Sequence, residues 1–195
     1  MKLAPVIKQA VTWIHERSNR GQALRFFLFL TIYSLGRYLE LLFDTTSFSK
    51  ELLYTLHERL SFFITHSSCF ILQGFYPDIH VTINHTIFIE GEAHIQMLPG
   101  CTGLQPMLRL TFVLLFYPLA WRRKIVLWPL SMVILIFAST LHFMMLIPIA
   151  YHFSEWFSFA HDWLTKIIFY GFYFLCWLIW EKSYKASPNP HIKGV

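Results

Sequence analysis

Apolar residues in this chain gather into long runs rather than the spaced stripes of a soluble helical domain. One run covers about Ala23 to Phe43, and three more cover about Leu104–Trp121, Ile125–Ala150 and His161–Trp180. Each approaches the ~20 mostly apolar residues that a membrane-crossing helix requires. Residues 47–76 are mixed. Leu52, Leu53, Leu56, Leu60, Phe63 and Ile64 make a helical apolar stripe, while Glu51, His57, Glu58 and Arg59 make the first half amphipathic. The second half, 60–76, is apolar enough to dip into a bilayer. Residues 4–20 set Val6, Ile7, Val11, Trp13 and Ile14 against Lys8, Gln9 and Arg17, the pattern of an interfacial helix. Further on the period changes to two. Val81, Ile83, Ile87 and Ile89 alternate with Thr82, Asn84, Thr86 and Glu90, and after Gly91-Glu92 the alternation resumes at Ala93, Ile95 and Met97. This predicts a β-hairpin over 79–98, which belongs at the membrane surface because open strand edges cannot lie in hydrocarbon.

The fold class that follows is an all-α polytopic membrane protein, a small bundle of about four to five transmembrane helices with a short external β-hairpin. Its parts are a cytoplasmic amphipathic segment 1–22, a transmembrane domain 23–185 and a cytoplasmic tail 186–195. Composition agrees: of 195 residues 55% are hydrophobic and only 14% charged, too few to cover a soluble domain. The net charge of +5 raises the question of nucleic acid. The cations, however, cluster at the ends of the runs: Lys2, Lys8, Arg17, Arg20 and Arg25, then Arg122-Arg123-Lys124, then Lys182 and Lys185. That is positive-inside anchoring at a lipid bilayer, so no nucleic-acid partner is expected. Arg122-Arg123-Lys124 reads as a tight cytoplasmic turn, and Tyr151–Ala160 as an external loop. Trp121, Trp128, Trp177 and Trp180 would form the inner aromatic belt, with Trp156 and Trp163 in the outer one. No small-residue cleavage pattern follows the first run, so it is expected to stay as an anchor. A cytoplasmic start and an external hairpin demand an odd number of crossings before residue 77. Either 47–76 lies on or re-enters from the outer face, which is the preferred reading, or the chain starts outside against its charge bias.

Cys69, Cys101 and Cys176 do not make a disulfide framework. Cys176 lies deep in an apolar run, where a thiol behaves as a small hydrophobe. Cys101 is different, because it stands at a membrane entrance in Pro99-Gly100-Cys101-Thr102-Gly103-Leu104, and His161 comes back to the same side. On an ideal helix Cys101, Gln105 and Arg109 share a face, with Arg109 about 12 Å below the thiol. His142, flanked by Ser139 and Thr140, and the His161-Asp162 pair complete a set of polar groups able to converge in one leaflet. Arg37 and Glu40, three apart, are either a self-neutralising pair or a polar contact toward that set.

A Cys-x-Gly opening a span, a basic turn, a polar-x-x-basic motif late in the next span and a His at the head of the last resembles the exosortase/archaeosortase pattern. The likeness is to short bacterial exosortase-like membrane proteins. It extends from Pro99 through Tyr184, including His161-Asp162 and Phe169-Tyr170-Gly171. The resemblance implies a membrane-embedded cysteine peptidase or transpeptidase in the bacterial inner (plasma) membrane, its active site facing the periplasmic side. Its substrates would be membrane-anchored proteins with a C-terminal sorting tail. Cys101 would be the nucleophile and His161 its acid/base partner. The family's third element is an arginine in an Asn-x-x-Arg motif, which here reads Ser139-Thr140-Leu141-His142, so His142 takes the arginine's place. Gln105, Arg109, Ser139 and Asp162 are supporting candidates.

The chemistry stands without the family. A thiol near pKa 8.5 is only a few per cent thiolate at neutral pH and needs a basic neighbour. His161 could take that proton and return it to the departing amine. The tetrahedral oxyanion needs a donor, and losing one such donor costs about 2.7–4 kcal/mol. His142 could supply it, or Arg109 or Arg37 in its place. No cofactor is expected. His80, His85, His94, His152 and His161 lack the spacing of a zinc signature, so no metal is expected either. The competing readings are an inactive exosortase-like assembly or export factor and a small transporter. The transporter lacks the paired, interrupted helices such folds use.

Overall fold

A computed structural model describes residues 19–43, 47–82, 85–90, 92–97 and 101–186. The expected interfacial helix over 4–20 and the tail beyond 186 lie almost wholly outside these residues, as do the side chains of Arg37 and Glu40. The elements run α1 (Asn19–Phe43), α2 (Ser47–Leu72), β1 (His80–Val81), β2 (Thr86–Ile89), β3 (Glu92–Gln96), α3 (Leu104–Phe116), α4 (Trp121–His152) and α5 (Phe157–Lys185). The described residues are thus mostly helical with one small sheet. Among the described residues two stretches, Trp121–His152 and Ser154–Lys185, are long and apolar enough to cross a membrane. Large apolar side chains remain exposed on their outer faces, among them Val126, Val133, Phe137, Ile167 and Tyr170. So much exposed apolar surface suits contact with lipid rather than water.

Several boundaries differ from those read off the apolar runs, each for a local reason. The run expected over 104–121 ends as a helix at Phe116, because Pro118 biases Tyr117 to extended backbone (ψ 139°). The 13 residues of α3 reach only about 20 Å. The turn therefore lies at Tyr117–Ala120, and Arg122-Arg123-Lys124, expected as the turn, forms the first turn of α4 instead. The loop expected over Tyr151–Ala160 is mostly helix. α4 continues to His152, a 3-10 turn covers Ser154–Trp156, and α5 starts at Phe157, one turn before His161.

The expected hairpin is present and carries a third strand. β1, β2 and β3 form an antiparallel meander in that order, with Ile87 opposite both Val81 and Ile95 and an irregularity between Ile87 and Phe88. Period-two burial holds on β2, where Ile87 and Ile89 point inward. His85 and Glu90 adopt left-handed φ of 56° and 53° at the two strand connections.

Two apolar clusters organise the molecule. One joins Phe29 of α1 with Leu110 and Val113 of α3, Leu135 of α4 and Tyr173 and Trp180 of α5. The other seats the sheet's Ile87 and Ile89 on Ile64 and Leu72 of α2 and Phe143 and Ile147 of α4. α2 thus packs beside the later half of α4, where Ser68 Oγ donates to the Thr140 carbonyl at 3.4 Å. At the opposite end Arg25 donates to both carboxylate oxygens of Glu181 (2.8 and 2.5 Å), and the Tyr117 hydroxyl donates to the same group at 3.0 Å. Arg25 was expected as a headgroup anchor, yet it is fully buried. Its charge is neutralised by Glu181, a partner 156 residues away that no local pattern reveals.

Candidate active site

Where the two apolar clusters meet, a cleft of about 220 Å³ opens between α3, α4 and α5. Its walls include Cys101, Gln105, Arg109, His142, His161 and Lys166. Cys101 does not stand on α3. It lies in a turn ahead of the helix, whose N-cap is Gly103 with φ 75°. Only glycine takes that backbone readily. A Cβ on Gly103 would also fall 2.2 Å from Ser139 Oγ, so the spacing of Cys-x-Gly is dictated by a close approach of this turn to α4. Ser139 is fully buried and donates to the Leu135 carbonyl at 3.0 Å, which makes it part of that packing surface.

Cys101 Sγ lies 3.6 Å from His161 Nε2, within reach of a sulfur hydrogen bond. The other nitrogen of that ring, Nδ1, lies 3.4 Å from Asp162 Oδ1. A carboxylate only accepts, so this contact favours the tautomer with the proton on Nδ1, leaving Nε2 bare toward the thiol. Asp162 is largely exposed and the contact is long, so its pull on the ring is modest.

Arg109, one helical turn below Gln105, reaches the same cleft although Cys101 has left the helical register. The gap at Gly36 admits its stem, since a Cβ there would approach Arg109 Cγ to 3.3 Å. Its guanidinium carbon sits 5.6 Å from the centre of the Tyr33 ring, a cation–π distance. The cleft therefore carries a fixed positive charge from α3 and a second from Lys166 on α5.

His142 is buried, and its contacts differ from those expected of an oxyanion donor. Its Nε2 lies 2.9 Å from Thr165 Oγ1, and its ring centre is 5.7 Å from that of His161 and 5.8 Å from that of Phe169. Thr165 was not singled out from the sequence. The spacing His161, Thr165, Phe169 at i, i+4 and i+8 is the signal that could have drawn it in.

A second unanticipated pair flanks the thiol. Thr102, fully buried next to Cys101, has its hydroxyl 2.7 Å from His57 Nδ1 on α2. Burial pushes the His57 imidazole below its ordinary value, with neighbouring Glu58 pulling the other way. Glu58 in turn reaches His85 Nε2 at 3.2 Å, tying α2 to the sheet. α2 thus holds the turn that carries Cys101, although the sequence marks it only as an ambiguous apolar stripe.

Among the described residues no group of three or more His, Cys, Asp or Glu is arranged to hold a metal ion. Cys69 and Cys176 are free and buried, away from the cleft lining. A family model described as transmembrane exosortase matches residues 30–180, well over half of the chain and all of the cleft. No curated protein and no solved structure matches.

Proposed function

The chain belongs to the transmembrane exosortase family, and on that premise we propose that it is a membrane-embedded cysteine peptidase or transpeptidase. Its substrates are membrane-anchored exported proteins, which it cleaves at a C-terminal sorting tail. The observation that carries the reading is the 3.6 Å contact of Cys101 Sγ with His161 Nε2 at the mouth of a cationic cleft.

His161 Nε2 takes the Cys101 proton, and the thiolate attacks the scissile carbonyl carbon. Asp162 beside Nδ1 supports the imidazolium that forms. The Arg109 guanidinium, charged at every working pH, stabilises the oxyanion. On collapse the C–N bond breaks, and His161 returns its proton to the leaving amine. The acyl group stays on sulfur until an amine or water attacks it. The apolar outer faces of α4 and α5 support a site embedded in a membrane. The cations Arg122, Arg123, Lys182 and Lys185 lie at the helix ends away from the cleft, and this charge bias supports a periplasmic Cys101 in a bacterial plasma membrane.

A second reading, an inactive assembly or export factor, draws on His142 standing where the family carries arginine. One experiment separates the two. Full-length protein is co-expressed with a tail-bearing membrane protein, and tail removal is followed by a mobility shift. Cys101→Ala and His161→Ala should abolish removal, and Arg109→Met should slow it about 10²–10³-fold. Tail removal that is the same with and without the parent protein, or unchanged in Cys101→Ala, would favour the non-catalytic reading.

A further inference from the structure

His142 replaces an arginine by motif, yet its hydrogen bonds assign it different work. Thr165 Oγ1 makes two contacts: 2.5 Å to the His161 carbonyl oxygen and 2.9 Å to His142 Nε2. The carbonyl can only accept, so the single hydroxyl proton of Thr165 is committed there. His142 Nε2 must then be the donor to Thr165 Oγ1. With one proton the ring has none left for an oxyanion. Its other nitrogen, Nδ1, is buried with no partner among the described residues. A proton added there would find no acceptor among them, and a buried unpaired donor is costly.

The position of the ring fits this account. His142 is 1% exposed and lies on α4 against one face of α5, with its ring beside those of His161 and Phe169 and its Nε2 on the intervening Thr165. The bond therefore fixes the rotation of α5 about its axis at the height of His161. A helix turns by about 100° per residue position at 3.6 residues per turn. Rotating α5 by a fraction of that angle would carry Nε2 of His161 out of reach of the sulfur.

We propose that His142 is a positioning residue, whose Nε2–H, through the Thr165 hydroxyl and the His161 carbonyl, holds the His161 ring against Cys101. The proposal deepens the proposed function, since it rests on the Cys101–His161 pair. It assigns the oxyanion to Arg109 rather than to the residue at the family's motif position.

The test needs no substrate. Full-length protein in lipid nanodiscs is alkylated with iodoacetamide between pH 5.5 and 9, and modification of Cys101 is followed by peptide mass spectrometry. Activation by His161 shows as a rate at pH 6.5 well above that of an isolated thiol. His142→Leu and the near-isosteric Thr165→Val should each lower that rate about tenfold, and the double variant should go no lower. His142→Gln, whose amide N–H₂ can reach Thr165, should stay within about twofold of the parent. Thr165→Val carries the test alone should His142→Leu fail to fold. Unchanged rates in Thr165→Val, or a His142→Gln rate as low as that of His142→Leu, would overturn the proposal. An ordinary thiol profile in the parent, indifferent to His161→Ala, would instead sink the Cys101–His161 pair. The two failures are therefore distinct.

Discussion

Under the proposed chemistry, Cys101 and His161 are each aimed by a residue that does not itself react. Gly103 is the clearest case, because its left-handed backbone and the 2.2 Å approach that a Cβ would make to Ser139 Oγ leave no room for any other residue. Gly103→Ala should cost about 1–2 kcal/mol in backbone strain alone, with the clash added. Adding Ser139→Ala should restore part of the thermal stability but not all of it, since only the clash is relieved. A melting temperature for Gly103→Ala equal to the parent's would refute this geometry. At this scale the sequence was informative about identity and poor about partnership. Cys101 and His161 stood out because thiol and imidazole are rare, reactive and placed at run ends. Thr102 and Thr165 did not, since a threonine beside an apolar run usually bonds its own helix, as Thr111 and Thr140 do here.

Elements were legible wherever one period dominated. The long apolar runs became helices and the alternating stretch became strands, because hydrophobic spacing reports the faces that must be buried or meet lipid. Ends were less legible. Pro118 stops α3 early, whereas α4 runs through Pro148 to His152 and α5 begins at Phe157, both inside the expected loop. α2 was the hardest to place, since its role depends on His57 meeting a threonine 45 residues ahead. That contact has a pH consequence. Burial holds the folded-state pKa of His57 below its unfolded value of about 6.5, so the unfolded chain binds the extra proton first. The contribution is full above that value and is lost as pH falls through it toward the folded pKa. The melting temperature should therefore drop between pH 7.5 and 5.5, and His57→Asn, which keeps a polar group near Thr102 without the titration, should flatten the drop. An equally steep drop in His57→Asn would show that other groups set it.

The molecule as a whole is closed at one end by charge and at the other by apolar packing under the sheet. Arg25, Glu181 and Tyr117 pin α1, α5 and the end of α3 together, with the Arg25 guanidinium carbon also 4.2 Å from the centre of the Tyr184 ring. Water is excluded from this cluster, so removing one partner leaves the other charge uncompensated. Glu181→Gln should therefore cost about 3–5 kcal/mol, whereas Arg25→Met with Glu181→Leu should recover most of it. Equal melting temperatures for parent and Glu181→Gln in the same detergent would mean that the cluster is not a clamp. Sequence alone points to a cytoplasmic anchor at Arg25, because a cation at a run end has that meaning in most membrane proteins. Only the three-dimensional pairing turns an anchor into a clasp, and the clasp in turn fixes α5, on which His161 rides.

If Cys101 takes an acyl group from a sorting tail, the thioester so formed can be trapped. Full-length protein in nanodiscs would be mixed with a tail-bearing substrate, quenched in acid within one turnover, and analysed by intact and peptide mass spectrometry. The account predicts a substrate fragment ending at the cleavage point, attached to Cys101 and released by hydroxylamine, with no adduct in Cys101→Ala or His161→Ala. Tail cleavage in the parent with no hydroxylamine-sensitive adduct, and undiminished in Cys101→Ala, would contradict it.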